Sequence, residues 1–371
     1  MIAGGQAMRI AIAGGGTGGH VHPALAIADA FIQDLAGADV LFVGTARGLE
    51  AKIVPALGHR LELVEGSRLV GGGVASKVRG LASLVHGVRQ AREILTRNGI
   101  RLVIGVGGYA SGAALIAARS LGLGAAVHES NAVAGLTNKV LGYVVERCYL
   151  GFDAALNDFP HDQSLVVGNP VRADILAVGA ARVRRALGAE PLSVFVVGGS
   201  QGAQFLNLRV PELLASVARR GVRLRVRHQV GRLDPEPVVA AYAALGIDAR
   251  VDTWIDDMAT AYAQADLAVS RAGSGAVSEL AAAGLPALLV PFPHAAGDHQ
   301  AANARAFAEV GAGFWRRQEE WQTEPLAEAL ATTMSDGHSL HLASQAARSL
   351  SRGDAAHEMV RDCARWMEGR W

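Results

Sequence analysis

Cysteine is almost missing from this chain of 371 residues: Cys148 and Cys363 lie far apart, without CxxC spacing. That argues against a disulfide framework or a cysteine zinc site and fits a reducing compartment. Aromatic residues are scarce at 5%, so a large core must be built from aliphatic side chains. Neither sign of charge dominates. Lys plus Arg number 35 against 34 Asp plus Glu, a net of +1, which leaves no global field to recruit nucleic acid. No Asp-x-Asp pair occurs, so the usual carboxylate clamp for a metal–diphosphate is absent and no metal is expected. The uncharged stretch between Arg101 and Arg119 is broken by Gly107-Gly108 and reads as strand, turn and helix rather than a membrane span. A signal peptide is not expected either, because Arg9 sits inside the first strand-like run rather than ahead of an apolar one.

What remains is rich in Ala, Val, Leu and Gly. Apolar runs of strand length alternate with helix-period segments. The strand candidates are Arg9–Ala13, Val40–Val43, Leu102–Val106, Ala125–His128, Leu165–Val167, Ser193–Val197, Leu224–His228, Leu267–Ser270 and Ala287–Val290. Between them fall the helix candidates Pro23–Leu35, Val78–Leu95, Gln204–Arg220, Val277–Ala283 and Gln300–Glu309. This alternation predicts an α/β protein with parallel sheets covered on both faces. The length exceeds one ordinary domain of ~100–200 residues. Each half opens alike, with an aliphatic strand, a glycine loop and a helix: RIAIAGGGTGGH at Arg9–His20 and SVFVVGGSQGA at Ser193–Ala203. Two doubly wound, Rossmann-like domains follow, over residues 8–172 and 173–352, with a cleft between them. The segment 353–371 is expected to pack back on the first.

Three glycine-rich turns carry most of the chemistry: Gly14–Gly19, Gly107–Gly112 and Gly198–Gly202. Each follows an aliphatic strand and precedes a helix, the arrangement that presents backbone N–H groups to an anion. A single such turn is as often a plain strand-to-helix connection. Three of them favour diphosphate ligands. Gly14-x-Gly16-x-x-Gly19 also matches the dinucleotide fingerprint. The acidic residue wanted at the end of the next strand is missing, however; Asp39 precedes that strand, which runs out into Gly44-Thr45. The nicotinamide reading is therefore the weaker.

An ordered set of motifs adds a specific resemblance. GGTGGH (Gly15–His20), GGYASG, HESNAVAGLTNK (His128–Lys139), GNPVR, GGSQGA, WIDDM (Trp254–Met258), RAGSGAVSELAAAGLPALLVP (Arg271–Pro291) and DHQAANA (Asp298–Ala304) together resemble the family of UDP-N-acetylglucosamine: N-acetylmuramyl-(pentapeptide) pyrophosphoryl-undecaprenol N-acetylglucosamine transferases, from Arg9 to about Arg352. The resemblance implies a GT-B fold without cofactor, inverting conversion of lipid I to lipid II, and a peripheral place on the cytoplasmic face of the bacterial plasma membrane. It puts UDP-N-acetylglucosamine on Thr17, Gly18, Gly19, Asn131, Arg172, Ser200, Ile255, the stretch Ser274, Gly275, Ala276, Val277, Ser278, Glu279, and Gln300 and Asn303. Glu279 has two acceptor oxygens for the ribose hydroxyls; the competing reading is an acid in a helix's first turn. Gly16, Gly108 and Ser111 are expected at the acceptor diphosphate. His20 is the expected general base, with Glu129 as its competitor and Tyr109 as a third polar group at the same strand ends. Two positions depart from the pattern: Ala276 stands where the family shows Thr, and Ser130 where Gln is common.

Between Ser67 and Arg92 lie Arg68, Lys77, Arg79, Arg89 and Arg92 with no acid, and Val78, Leu81, Val85 and Val88 recur at helical spacing beyond Leu69-Val70. Such a segment suits an anionic membrane. Its periodicity suits a helix packed on a sheet equally well, and the lipid-linked acceptor, a muramyl pentapeptide on undecaprenyl pyrophosphate, tips the reading toward Leu69, Val70, Lys77, Arg79, Leu81 and Arg89 as a membrane face. Two other classes stay open: another sugar-nucleotide enzyme of the same fold, such as a glycolipid glycosyltransferase or a UDP-N-acetylglucosamine epimerase, and a non-catalytic nucleotide-sugar-binding protein.

Overall fold

Ile10, Ala11, Ile12 and Ala13 are all buried although they alternate sides of one strand. Burial on both faces is what a strand inside a parallel sheet requires. Ile10 and Ile12 pack with Phe31, Phe42, Met359 and Cys363. Ala11 and Ala13 turn to Leu41, Leu95, Ala114 and Leu115 on the opposite face. The structure is a computed structural model that describes residues 8–16, 18–65, 74–182, 191–199 and 201–370, apart from the side chains of 74–79 and 81. The chain divides into two compact units. One runs to Pro170 and resumes at Asp354; the other spans Val171–Gly353.

The first unit strings together β1 (Arg9–Ala13), α1 (Gly18–Asp34), β2 (Asp39–Gly44), α2 (Glu50–Ala56), β3 (Arg60–Leu63), α3 (Val74–Arg97), β4 (Leu102–Gly105), α4 (Tyr109–Ser120), β5 (Gly124–Glu129), α5 (Leu136–Gly142), β6 (Arg147–Leu150) and β7 (Ser164–Val166). Its seven strands lie in the order β3-β2-β1-β4-β5-β6-β7, every pairing parallel. The second unit holds α6 (Ala173–Arg182), β8 (Leu192–Val197), α7 (Gln204–Arg219), β9 (Leu224–Gln229), α8 (Glu236–Ala244), β10 (Asp248–Asp252), α9 (Met258–Gln264), β11 (Leu267–Ser270), α10 (Ser274–Ala283), β12 (Ala287–Leu289), α11 (His299–Glu309), β13 (Gly313–Trp315), α12 (Thr323–Met334) and α13 (Gly337–Ser349). Its order is β10-β9-β8-β11-β12-β13, again all parallel. The last helix, α14 (Ala355–Trp366), returns to the first unit and packs on α1.

Both sheets reverse direction at their first strand, between β1 and β4 and between β8 and β11. Ligands of such sheets gather at the carboxyl ends of those strands. Four strands escaped the sequence reading: β3, β6, β10 and β13. β3 reads RLEL and β10 DARVD because they are sheet edges, where side chains meet water. Two helix starts are also corrected. α1 begins at Gly18 rather than Pro23 and α10 at Ser274 rather than Val277, so His20 and Ala276 sit in first helical turns and not in the loops before them. Glycine and proline read as helix breakers, but α1 runs through Gly18-Gly19 and accommodates Pro23 as its sixth residue.

Candidate active site

In the first unit the two glycine turns interlock at the point where strand order reverses. Gly15 N donates to Gly107 O at 3.3 Å, and a Cβ on Gly108 would sit 2.8 Å from Gly15 O. Gly107 is pressed on the other side by His20, whose Nε2 a Cβ would meet at 2.8 Å. His20 Nδ1 lies 3.0 Å from Gly15 O. A carbonyl only accepts, so Nδ1 carries the proton and Nε2 of the neutral ring keeps a lone pair. The ring is half-buried, in the first turn of α1. His20 thus has the geometry of a proton acceptor: an oriented imidazole with one nitrogen held and the other unspent.

Glu129 is held differently. It is buried at the end of β5. Its Oε1 accepts from Asn131 N and Asn131 Nδ2, each at 2.9 Å, and its Oε2 from Gly135 N at 3.2 Å and Asn138 Nδ2 at 2.8 Å. Four N–H donors fix the carboxylate as the anchor of the loop before α5, so taking a substrate proton would first break that set. Tyr109 is likewise engaged, donating to Ser83 O on α3 at 2.6 Å. Two acceptor-side candidates are enclosed or already engaged. Ser111 is fully buried, and the space its hydroxyl fills is the space a Cβ on Gly105 would need, so it faces the sheet. The N–H of Gly16 is already given to Glu50 Oε2, at 2.7 Å. Gly108 stays exposed and starts α4 without a side-chain cap.

His128, next to Glu129 and equally buried, has neither ring nitrogen in a hydrogen bond, although the Gly168 backbone lies beside it without meeting hydrogen-bonding geometry. Burial pushes its pKa down to about 4, so the ring is neutral at pH 7.

The second unit repeats the plan. α10 follows β11 after a three-residue turn, with Gly273 as its N-cap and no side chain capping its N–H groups. A Cβ on Gly275 would meet nothing within 4 Å, so the helix end is open to an approaching anion. Gln300 leans over this end. Its Oε1 accepts from Phe292 N at 2.9 Å, while its Nε2 lies 4.0 Å from where a Gly273 Cβ would be. Ala276 and Ser278 lie half-buried along the first turns.

Glu279 is the sixth residue of α10, beyond the first turn, which removes the helix-dipole explanation for it. Oε2 accepts from Tyr262 OH at 2.9 Å; among the described residues nothing donates to Oε1. Burial raises the Glu279 pKa, and the Tyr262 hydrogen bond and the charge of Arg172 pull it back. Arg172 itself is exposed and 3.5 Å from Asp174.

Three expected donor residues turn inward. Asn303 is fully buried and gives its Nδ2 to Ala272 O at 3.1 Å, which supports the turn before α10. Val277 is core. Ile255 is buried and its N–H goes to Gln229 Oε1 at 3.1 Å, which leaves only its carbonyl for a base edge. Thr17, Ser200, Leu69 and Val70 lie outside the described residues, as do the side chains of Lys77, Arg79 and Leu81; Arg89 is exposed on α3.

Sequence reasoning missed Glu50, Tyr262 and the outer face of α5. On α5 and its flanks Leu136, Val140 and Tyr143 are exposed by 78%, 60% and 75%. Such exposure of large apolar side chains on one short helix marks a contact surface. Among the described residues no group of three or more His, Cys, Asp or Glu could hold a metal ion, and no helix is long and apolar enough to cross a membrane.

The glycosyltransferase family 28 N-terminal domain matches residues 10–150, and the family's C-terminal domain matches residues 193–359. A protein of Geobacter metallireducens named UDP-N-acetylglucosamine--N-acetylmuramyl-(pentapeptide) pyrophosphoryl-undecaprenol N-acetylglucosamine transferase is 42% identical over 353 residues, covering 95% of this chain and 97% of its own. The protein of that name from Myxococcus xanthus is 40% identical over 364 residues, covering 98% and 94%. The crystal structure of Acinetobacter baumannii MurG matches with a TM-score of 0.79 at 32% identity, covering 96% of this chain and 99% of that one. A putative UDP-N-acetylglucosamine 2-epimerase from Listeria monocytogenes matches with a TM-score of 0.68 at 12% identity, a likeness of fold alone.

Proposed function

We propose a function from one premise: this chain belongs to the family of N-acetylmuramyl-(pentapeptide) pyrophosphoryl-undecaprenol N-acetylglucosamine transferases, whose named members match it along nearly its whole length. It is a UDP-sugar hexosyltransferase that moves N-acetylglucosamine from UDP onto lipid I and yields lipid II. The observation that carries this reading is the match at about 40% identity over 95% of the chain. The two strand-order reversals, each with an uncapped helix start, support it from the structure.

The donor belongs to the second unit. Its diphosphate is read onto the N-terminus of α10 and the turn after β8, where N–H groups and helix dipoles meet negative charge. Glu279 Oε1 takes a ribose hydroxyl and Gln300 Nε2 serves the sugar. Arg172, which already bears on Glu279 and Tyr262, supplies a fixed positive charge as UDP leaves. The acceptor belongs to the first unit, around Gly108 and the exposed start of α4.

The acceptor 4-hydroxyl attacks the anomeric carbon from the face opposite UDP. The new carbon–oxygen bond forms as the bond to the β-phosphate oxygen breaks, and that oxygen keeps the electron pair. The hydroxyl proton passes to His20 Nε2. One direct displacement inverts the anomeric centre. Exposed Leu136, Val140 and Tyr143, with the basic residues of α3, are read as the face that lies on an anionic membrane.

One assay separates the readings. Radiolabelled UDP-N-acetylglucosamine given with a lipid I analogue should yield labelled lipid II. Binding without transfer would support a non-catalytic nucleotide-sugar protein, and consumption of UDP-sugar without acceptor would support an epimerase.

A further inference from the structure

Glu50, the first residue of α2, is 2% exposed, and the carboxylate has no counter-cation among its hydrogen-bond partners. It reaches into the turn after β1. Oε2 accepts from Gly16 N at 2.7 Å, and Oε1 from Thr45 N at 2.9 Å and Thr45 Oγ1 at 3.0 Å. Glycines surround it: a Cβ on Gly15, Gly44 or Gly48 would run into the Glu50 side chain. Three separate positions of the chain give up a side chain to the same buried acid, which sets it apart from an acid that merely starts a helix.

The Gly15–Gly16 peptide group connects this carboxylate to the base. Its N–H donates to Glu50 Oε2, and its C=O accepts from His20 Nδ1 at 3.0 Å. In a trans peptide those two bonds point in opposite directions, so one amide plane lies between an anion and an imidazole. A donor bound to a negative charge polarises the amide and makes its carbonyl the stronger acceptor. The imidazolium that forms when Nε2 takes a proton is stabilised through the same line. We propose that Glu50 is a positioning residue for the glycosyl transfer. It acts on His20 through the Gly15–Gly16 peptide, fixes the Nδ1–H tautomer and supports the protonated ring, the service a carboxylate gives directly in Ser-His-Asp enzymes. This rests on His20 being the base.

The test is Glu50→Gln, which keeps the shape and removes the charge. Turnover should fall ~10-fold with the KM for UDP-N-acetylglucosamine unchanged. The acidic limb of the kcat profile should move to lower pH, because an uncharged side chain no longer favours the protonated base. In a His20→Ala background Glu50→Gln should cost nothing more. Wild-type turnover in Glu50→Gln, a loss with the acidic limb in place, or additive losses in the double variant would each overturn the relay. A His20→Ala enzyme with near wild-type turnover would instead overturn the reading of the base. Should Glu50→Gln fail to fold, nitrogen NMR of His20 in the wild-type enzyme decides: the neutral ring should carry its proton on Nδ1, and a proton on Nε2 sinks the proposal.

Discussion

With Nδ1–H tied to the Gly15 carbonyl, His20 offers a substrate only its other nitrogen. His20→Ala should therefore cut turnover by ~10²–10⁴-fold, measured at saturating substrates, while UDP binding by calorimetry stays near wild type. Glu279→Ala tests the donor side. It removes the charged acceptor proposed for one ribose hydroxyl, a hydrogen bond worth ~1.5–3 kcal/mol, so UDP affinity should drop while the fold holds; unchanged binding would reduce Glu279 to a partner for Tyr262. Two buried histidines make a third prediction. His128 is pushed down to about 4 and His228 to about 3, both by burial. Each is neutral when folded and takes up a proton near pH 6.5 when unfolded. Stability is therefore intact above about pH 6.5 and drains as pH falls toward 4, by on the order of 3 kcal/mol for His128. Calorimetric unfolding at pH 7 and pH 5 should show the decline, and a His128→Gln chain should show a shallower one. His20 was legible because GGTGGH puts it beside a glycine turn. Glu50 was not, since nothing in a linear string says that Gly15, Gly44 and Gly48 close on one carboxylate.

Among the elements, most strands buried on both sides were legible in the sequence, though interior β6 was missed and the edge strand β7 was found. β1, β4, β8 and β11 are dominated by apolar residues because helices cover both faces of the sheet. β3 and β10 hide among loops because an edge strand keeps charges such as Glu62 and Asp252 at its surface. The basic helix α3 was read correctly in extent to within a few residues. α5 was missed because a seven-residue helix is too short to show a period. Membrane binding tests both. Replacing Lys77, Arg79 and Arg89 by Ser should weaken binding to anionic vesicles by ~1 kcal/mol per cation. Replacing Leu136 and Val140 by Ser should weaken it at high salt as well, where charge is screened. Equal vesicle binding by all three proteins would assign these faces to something other than a membrane.

At the scale of the whole molecule, the same strand order occurs twice, and that repetition was visible in the matched strand, glycine loop and helix that open each half. What the halves do with it differs: the second presents an open helix end, while the first fills part of its glycine turn with Glu50. In the proposed reading the donor side relies on backbone N–H groups and Arg172 rather than a carboxylate pair. Turnover in excess EDTA should accordingly match that in magnesium, and activity lost to EDTA and restored by magnesium would show that a cation is required.

The return of α14 to the first unit has a consequence in time. Met359, Val360, Cys363 and Met367 fill the core against α1, Tyr149 donates to Asp362 at 2.9 Å, and His357 meets Asp34 at 2.8 Å. A ribosome delivers this helix only after the whole of Val171–Gly353 has emerged. The first unit, begun first, is thus completed last, and its half-covered sheet must wait through the synthesis of a second domain that needs nothing from it to close its own core. A chain stopped at Gly353 should still bind UDP yet bring down its first unit as aggregate, and chaperone demand during translation should peak before α14 appears, not after.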